Sequence, residues 1–406
     1  MLGFVLASCG SKTGLEAPDA DLPDATPDAT VRERCVELPP ETDRILVDFT
    51  LPVSLAVIDL FFLIDATASM EDEIDNVREG LTDVVVPGVR RAIPDAAFGL
   101  SFLGEFPVEP HGPRDVRPYD LRVPITQDIP RVEGALEGVP EWGNFDEPEA
   151  QVEALYQVAT GEGLPGRFMD ILPPSIGCPS GGTGGVCFRN DSLPVVILIT
   201  DAPFHNGPDG RNAYRGIPEA HSYAEAVDAL LDISVRVIGL GARDLGAESP
   251  MPDLRRVASD TGAVREDGAP LAFDIGSRGN RVGSGIVDAV ERLAQGLPLD
   301  VDAVAEDVIG DRIDARELIA EIVPRSADPR DGVVAIGETR FIGVTPGTEV
   351  TFEVVIDGSA FERRSETVFV PARVQFRAFG RSRLGSEQFT IAIVGESGEG
   401  CADSEF

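Results

Sequence analysis

Oxygen-bearing side chains stand where two apolar runs stop. Residues 60–64 (LFFLI) lead, with no glycine or proline between, into Asp65, then Thr67 and Ser69 in the pattern D-A-T-A-S. The run 195–200 (VVILIT) ends in a second acid, Asp201. Two buried strands that each close on a carboxylate at one sheet edge repel each other unless a cation lies between them. Donors that are all oxygen select a hard ion, Mg2+, Mn2+ or Ca2+, over zinc or copper.

The elements that must hold this set alternate strand and helix from residue 57 to about 296. Strands are expected at 57–64, 96–103, 195–200 and 233–240, each apolar almost throughout. Ile74, Val77, Leu81, Val84 and Val85 recur at three- and four-residue spacing, as do Val152, Leu155 and Val158; further helices are expected at 223–231 and 286–294. Continuous apolar strands between helices predict an α/β fold with a doubly wound, mostly parallel sheet of Rossmann-like type. In such a sheet ligands bind beyond the carboxyl ends of the strands, which is where Asp65 and Asp201 leave it.

Outside 57–296 the texture changes. Val350, Phe352, Val354 and Ile356 alternate with other residues, as do Phe389, Ile391 and Ile393 and, before the α/β region, Ile45, Val47 and Phe49. This is half-buried antiparallel β. The simplest arrangement inserts the α/β domain (57–296) into a β-sandwich built from 35–56 and 297–402, with the strand at 44–50 paired to the C-terminal segment.

The 406 residues carry a net charge of −36, which repels nucleic acid and anionic lipid and excludes a nucleic-acid-binding function. At the start, Leu6-Ala7-Ser8-Cys9 resembles a lipobox, and residues 1–9 read as a truncated signal whose true start lies upstream. The alternative is a cytosolic protein with an apolar first turn. The repeated Pro-Asp-Ala units within 10–34 form an extended acidic tether that cannot bury a core. Together they predict a lipoprotein of the outer membrane or cell surface that meets the membrane only through a lipid on Cys9. With Cys9 set aside, four cysteines remain; the spacing does not suit a compact zinc site, and Cys35–Cys401 and Cys178–Cys187 are the expected disulfides of an oxidising compartment. Four unrelated thiols are the alternative.

Three segments, DLFFLIDATASMEDE, GNFDEPEAQVEALYQVATGE and LITDAPFHNGPDGR, resemble von Willebrand factor A domains, whose metal-ion-dependent adhesion site has the pattern D-x-S-x-S, and among them the I-like domain of integrin β subunits. IGVTPGTEVTFEVVI is similar to the hybrid domain into which that domain is inserted. The resemblance implies a central Mg2+ or Mn2+ held by Asp65, Thr67, Ser69, Glu149 and Asp201. It implies an adjacent site at Asp72 and Glu73, and a third at Glu105, Asn144, Asp146, Glu149 and the carbonyl of Pro148, with Ca2+ in the flanking positions. It further implies a non-enzymatic, adhesion-type protein whose partner is a protein presenting an acidic residue to the central ion. Thr67 departs from the family's Ser, keeping the hydroxyl and adding a methyl. A metal-dependent hydrolase, or one pairing Ser69 with His205, is a second reading; His205, in the polar stretch DAPFHNGPDG, reads as an exposed loop residue, and no G-x-S-x-G or H-E-x-x-H is present. An envelope protein with purely structural calcium is a third. Restoring an upstream signal should let radiolabelled palmitate label the chain at Cys9, and Cys9→Ala should release it in soluble form; absence of label would reject the lipoprotein expectation.

Overall fold

The structure, a computed structural model, describes residues 34–401 apart from Glu141, 167–170, Ser180, 243–247, Glu266, 277–278, Asn280, Asp311, Ser397 and Glu399. Cys9 and nearly all of the tether lie outside the described residues. The chain begins with β1 (Arg34–Leu38) and β2 (Arg44–Pro52). It then builds β3 (Val57–Asp65), α1 (Glu71–Gly80), α2 (Val86–Ala92), β4 (Asp95–Leu103), β5 (Asp120–Thr126), α3 (Ile129–Leu136) and α4 (Gln151–Thr160). After these come β6 (Leu193–Thr200), α5 (Tyr223–Asp232), β7 (Arg236–Ala242), α6 (Met251–Asp260), β8 (Ala272–Gly276) and α7 (Val282–Gly296). It closes with β9 (Leu299–Asp307), β10 (Ile319–Asp328), β11 (Val333–Ile336), β12 (Arg340–Val344), β13 (Glu349–Asp357), β14 (Val368–Ala378) and β15 (Ser382–Ile393).

The inserted sheet has the order β5-β4-β3-β6-β7-β8, parallel except for β5 at one edge. β3 reads as an unbroken apolar run because both its faces are covered: Ile58, Leu60, Phe62 and Ile64 share a core with Val77, Val89, Val132 and Ile286, while Phe61 and Leu63 share the opposite core with Leu155, Leu230 and Leu254. Helices α1, α2, α3 and α7 thus cover one face, and α4, α5 and α6 the other. The helical face expected across 71–93 is interrupted. Residues 81–85 form a π-helical turn, so Leu81 and Val85 stay buried while Val84 is turned out and 46% exposed. Four elements escaped the periodicity: β5, a partly exposed edge strand containing Pro124; the short α3; α6, whose apolar face is only Met251, Leu254, Val257 and Ala258; and β8, only five residues long.

β2 pairs antiparallel with β13 over nine positions, from Arg44 opposite Asp357 to Pro52 opposite Glu349. With β10 they form one sheet of the sandwich; β1-β15-β14-β9-β12-β11 form the other. Phe49 packs on Phe389 at 4.9 Å, and Phe352 lies between Phe341 and Phe376 at 5.0 and 5.8 Å. The α/β domain is therefore inserted between the second and third sandwich strands in chain order, β2 and β9. Disulfides join Cys35 to Cys401 and Cys178 to Cys187. Among the described residues no helix is long and apolar enough to cross a membrane.

The end of the inserted sheet away from Asp65 is tied down by one arginine. Arg189 donates from Nε to Asp59 Oδ1 and from Nη1 to Asp95 Oδ1, both at 2.6 Å, and from Nη2 to the carbonyl of Ile58 at 3.0 Å. Asp59 is wholly buried; its second oxygen accepts from the Arg189 amide and Ser192 Oγ, each at 2.6 Å. The sandwich reaches the same place: Arg381 donates to the carbonyls of Ile233 and Arg189 at 2.8 and 3.0 Å, and Ser382 Oγ to the carbonyl of Ser192 at 2.8 Å. Asp59→Ala takes the buried carboxylate from the half-buried Arg189, which keeps only Asp95 and backbone carbonyls as partners. It should destabilise the inserted domain by about 3 kcal/mol, read as an earlier chemical-denaturation transition; an unchanged midpoint would show that Arg189 finds water instead.

Candidate metal centre

The strand ends place their acids in a largely buried pocket. Asp65 is the last residue of β3 and fully buried. Its Oδ1 accepts from the Thr67 amide at 3.0 Å and Thr67 Oγ1 at 2.7 Å, and its Oδ2 accepts from Thr200 Oγ1 at 2.7 Å. Thr67 Oγ1 lies 3.3 Å from the exposed Ser69 Oγ. Asp201 follows β6 and is 7% exposed. Glu149 is fully buried; Asn144 Nδ2 donates to its Oε1 at 2.5 Å, whereas Oε2 is buried with no hydrogen-bond partner. Ser69, Asn144, Phe145, Asp146, Glu147, Glu149, Asp201 and Ala202 line a cleft of about 460 Å³.

Backbone bridges hold these loops together. Trp142 and the β3 turn exchange two bonds, Trp142 N to Ala66 O and Ala68 N to Trp142 O, each 3.1 Å. Glu149 N donates to Pro203 O at 3.0 Å and His205 N to Glu149 O at 2.8 Å, while Phe145 N donates to His111 O at 2.8 Å. Three segments far apart in sequence therefore meet on one surface, which is what a shared ligand shell requires.

Beside the cleft the structure joins His111 and Tyr214, which the sequence did not single out, to Glu105, Asp146 and His205, which it did. Glu105, fully buried, accepts on Oε1 from the Tyr214 hydroxyl at 2.6 Å and the Phe106 amide at 2.5 Å. His205 is 4% exposed, which corrects its reading as an exposed loop residue: Pro203 and Phe204 carry it inward against Tyr214, whose ring stacks on it at 4.1 Å. Its Nδ1 lies 2.7 Å from Asn212 O and its Nε2 3.2 Å from Asp146 Oδ2. His111, also 4% exposed, sets Nδ1 at 2.9 Å from the same Asp146 oxygen. Glu105 Oε2, Asp146 Oδ1 and His111 Nε2 are buried without partners. The chain has only three histidines; two of them follow Glu105 and Asp201 within a few residues, and that proximity was the available signal.

Of the expected donors, Ser69, Asn144, Asp146, Glu149 and Asp201 reach the cleft wall, with Asp65 and Thr67 in contact with Ser69 or beneath it. Asp72 and Glu73 occupy the first turn of α1 and are not among the cleft's lining residues; Asp72 is exposed and Glu73 buried. Pro148 is half-buried between Glu147 and Glu149.

No family model matches the chain. It is 25% identical over 198 residues to integrin beta-4 of Mus musculus, covering 45% of this chain and 10% of that protein. It is 24% identical over 178 residues to integrin beta-6 of Ovis aries, covering 40% and 20%. The inserted unit has a von Willebrand factor A fold and resembles the integrin β I-like domain. The chain thus spans a fifth or less of the length of these relatives. Among solved structures, a von Willebrand factor type A protein from Catenulispora acidiphila aligns over 89% of this chain and 72% of that one, with 12% identity and a TM-score of 0.38. The pilus adhesin SpaC from Lactobacillus rhamnosus GG aligns over 86% and 45%, with 11% identity and a TM-score of 0.36.

In the inserted domain, burial above all, and then the neighbouring Asp201, pushes Asp65 up to about 7. Burial lifts Glu149 and Glu105 well above the usual carboxylate range, and Asp65 adds to both. An acid whose folded pKa is raised stabilises the fold fully only below its unfolded pKa, and that contribution is lost as pH rises through the folded value. The metal-stripped protein should therefore lose a few kcal/mol between about pH 4 and pH 7. Its melting temperature should fall across that range, and saturating Mg2+ should flatten the fall. A stripped protein that melts at the same temperature throughout would contradict the burial of these carboxylates.

Proposed function

We propose that this protein binds another protein outside the cytoplasm through a divalent cation in the I-like domain. Asp65, Thr67, Ser69, Glu149 and Asp201 hold the ion, Mg2+ or Mn2+, and an acidic side chain of the partner completes its shell. The observation that carries this reading is the buried, unpartnered Oε2 of Glu149 at a cleft that also receives Ser69 and Asp201. A buried carboxylate oxygen with no donor is costly unless a cation meets it. Five protein oxygens bound directly to an octahedral ion would leave one position for the partner; Mg2+ gives up its hydration reluctantly, so water mediates some of the five contacts. Asp72 and Glu73 offer a flanking calcium position at the start of α1.

The lip of the cleft suits a protein partner. Phe145 is 60% exposed between Asn144 and Asp146 and offers apolar contact beside the ion. The net charge of −36 disfavours nucleic acid, and an ion presented from so acidic a surface needs a carboxylate delivered on a larger contact. The two disulfides suit an oxidising compartment. With the Cys9 lipobox they support an outer-membrane or cell-surface lipoprotein that touches the membrane only through its lipid. The hydrolase pairing of Ser69 with His205 finds no support, since both ring nitrogens of His205 already face other groups.

Ser69 is exposed, so Ser69→Ala should leave the fold intact while weakening ion-dependent partner binding roughly ten-fold. Asp65→Asn removes a charge repelled by Asp201 in the stripped protein and keeps an acceptor for Thr67, with its amide NH2 turned to Thr200 Oγ1. It should abolish ion binding yet raise the melting temperature of the metal-free protein at neutral pH. Titration calorimetry with Mg2+, Mn2+ and Ca2+, alongside thermal melts, checks both. A wild type that takes up no divalent ion near millimolar concentration would falsify this function.

A further inference from the structure

We infer that His111, His205, Asp146 and Glu105 form a separate site for a borderline transition ion of the zinc class. It lies beside the central cleft and does not rest on the function proposed above. Integrin resemblance fills the position that shares Glu105 and Asp146 with calcium; the two imidazoles change the ion it suits.

The geometry is that of a shell drawn around a small cation. His111 Nδ1 and His205 Nε2 stand 2.9 and 3.2 Å from Asp146 Oδ2, and His205 Nε2 stands 3.4 Å from Glu105 Oε2. Ligand atoms of His111, Asp146 and His205 all lie within 4.8 Å of one another. A tetrahedral ion with bonds of about 2.0–2.1 Å has edges of about 3.3 Å, close to these separations.

Donor accounting points the same way. His205 Nδ1 donates to the Asn212 carbonyl at 2.7 Å, which leaves the Nε2 lone pair facing two carboxylate oxygens. A backbone carbonyl on the far ring nitrogen is the usual way a ligating histidine is oriented. Glu105 spends Oε1 on Tyr214 and Phe106 and aims Oε2, wholly buried and unpartnered, at the same spot. Tyr214 walls the site, stacked on His205 and edge-on to His111 at 5.0 Å. Two imidazole nitrogens and two carboxylates prefer zinc-class ions to calcium, and two negative charges balance a divalent cation. The Asp146 side chain is 31% exposed and lines the cleft, which gives the ion a way in. Once bound, the ion would pin the loops carrying Glu105, His111, Asp146 and His205.

The test uses the full chain, stripped with chelator and then offered Zn2+, Co2+, Ca2+ or Mg2+. Retention of a single Zn2+ against excess Ca2+ and Mg2+ is expected, as is the intense visible absorption of four-coordinate Co2+. His111→Gln and His205→Gln should each weaken Zn2+ binding by at least about ten-fold while leaving Mg2+ binding unchanged. Ser69→Ala should do the reverse. Circular dichroism checks that each variant is folded; should the histidine variants unfold, the Co2+ spectrum of the wild type decides alone. The inference is overturned by a weak six-coordinate Co2+ spectrum, by unchanged Zn2+ affinity in folded histidine variants, or by loss of Zn2+ on Ser69→Ala, which would put the ion in the central site. Because Mg2+ binding is read separately, failure here leaves the proposed function standing, and failure of that function leaves this site standing.

Discussion

Carboxylates buried against one another at the carboxyl edge of the inserted sheet govern the upper half of the molecule. Asp65, Glu105 and Glu149 are shut off from water, and Asp201 is nearly so. Taking such groups out of water costs several kcal/mol each unless donors or cations replace the lost hydration. Thr67 and Thr200 serve Asp65, Asn144 serves Glu149, and Tyr214 serves Glu105. Then the donors run out, leaving one oxygen each on Glu149, Glu105 and Asp146 unmatched. On the function and the further site proposed above, a cation supplies the missing component, and its chemistry is set by what stands opposite each oxygen: hydroxyls and carboxylates around Asp65, imidazoles around Asp146.

Holding acids in such a place demands a rigid frame, because a mobile loop would simply turn its carboxylate to solvent. The frame comes from backbone bonds between loops, Ala66–Ala68 with Trp142, Glu149 with Pro203 and His205, Phe145 with His111. Beneath them β3, β4 and β6 are fully paired and covered on both faces. At the opposite end of the same strands the charges are balanced within the protein. Asp59 and Asp95 meet Arg189, and burial still raises the Asp59 pKa despite that partner. The sandwich docks through Arg381 and Ser382 on this end, so its attachment leaves the cleft uncovered.

The inserted architecture was legible because it depends on patterns that recur within short windows. Apolar runs fully covered on both faces mark β3 and β6, and alternation marks β2, β13 and β15. Where local pattern and final environment part ways, the reading lost ground. The π turn at 81–85 exposes Val84, and the short or partly exposed β5, α3 and β8 carry too little periodicity to stand out.

For the site, the sequence by itself determined the donor set at the ends of β3 and β6, because an acid placed where a buried strand leaves its sheet has little choice of direction. It also supplied the hydroxyls of Thr67 and Ser69, two positions apart on the same turn. Only the tertiary structure decided what surrounds the remaining acids. His205 lies in a loop whose sequence reads as polar and exposed, and His111 and Tyr214 carry no local pattern, yet contacts among residues about a hundred positions apart bury both histidines and pack the half-buried Tyr214 against them beside Glu105 and Asp146. Burial of that kind is set by long-range packing, and no short window of residues records it.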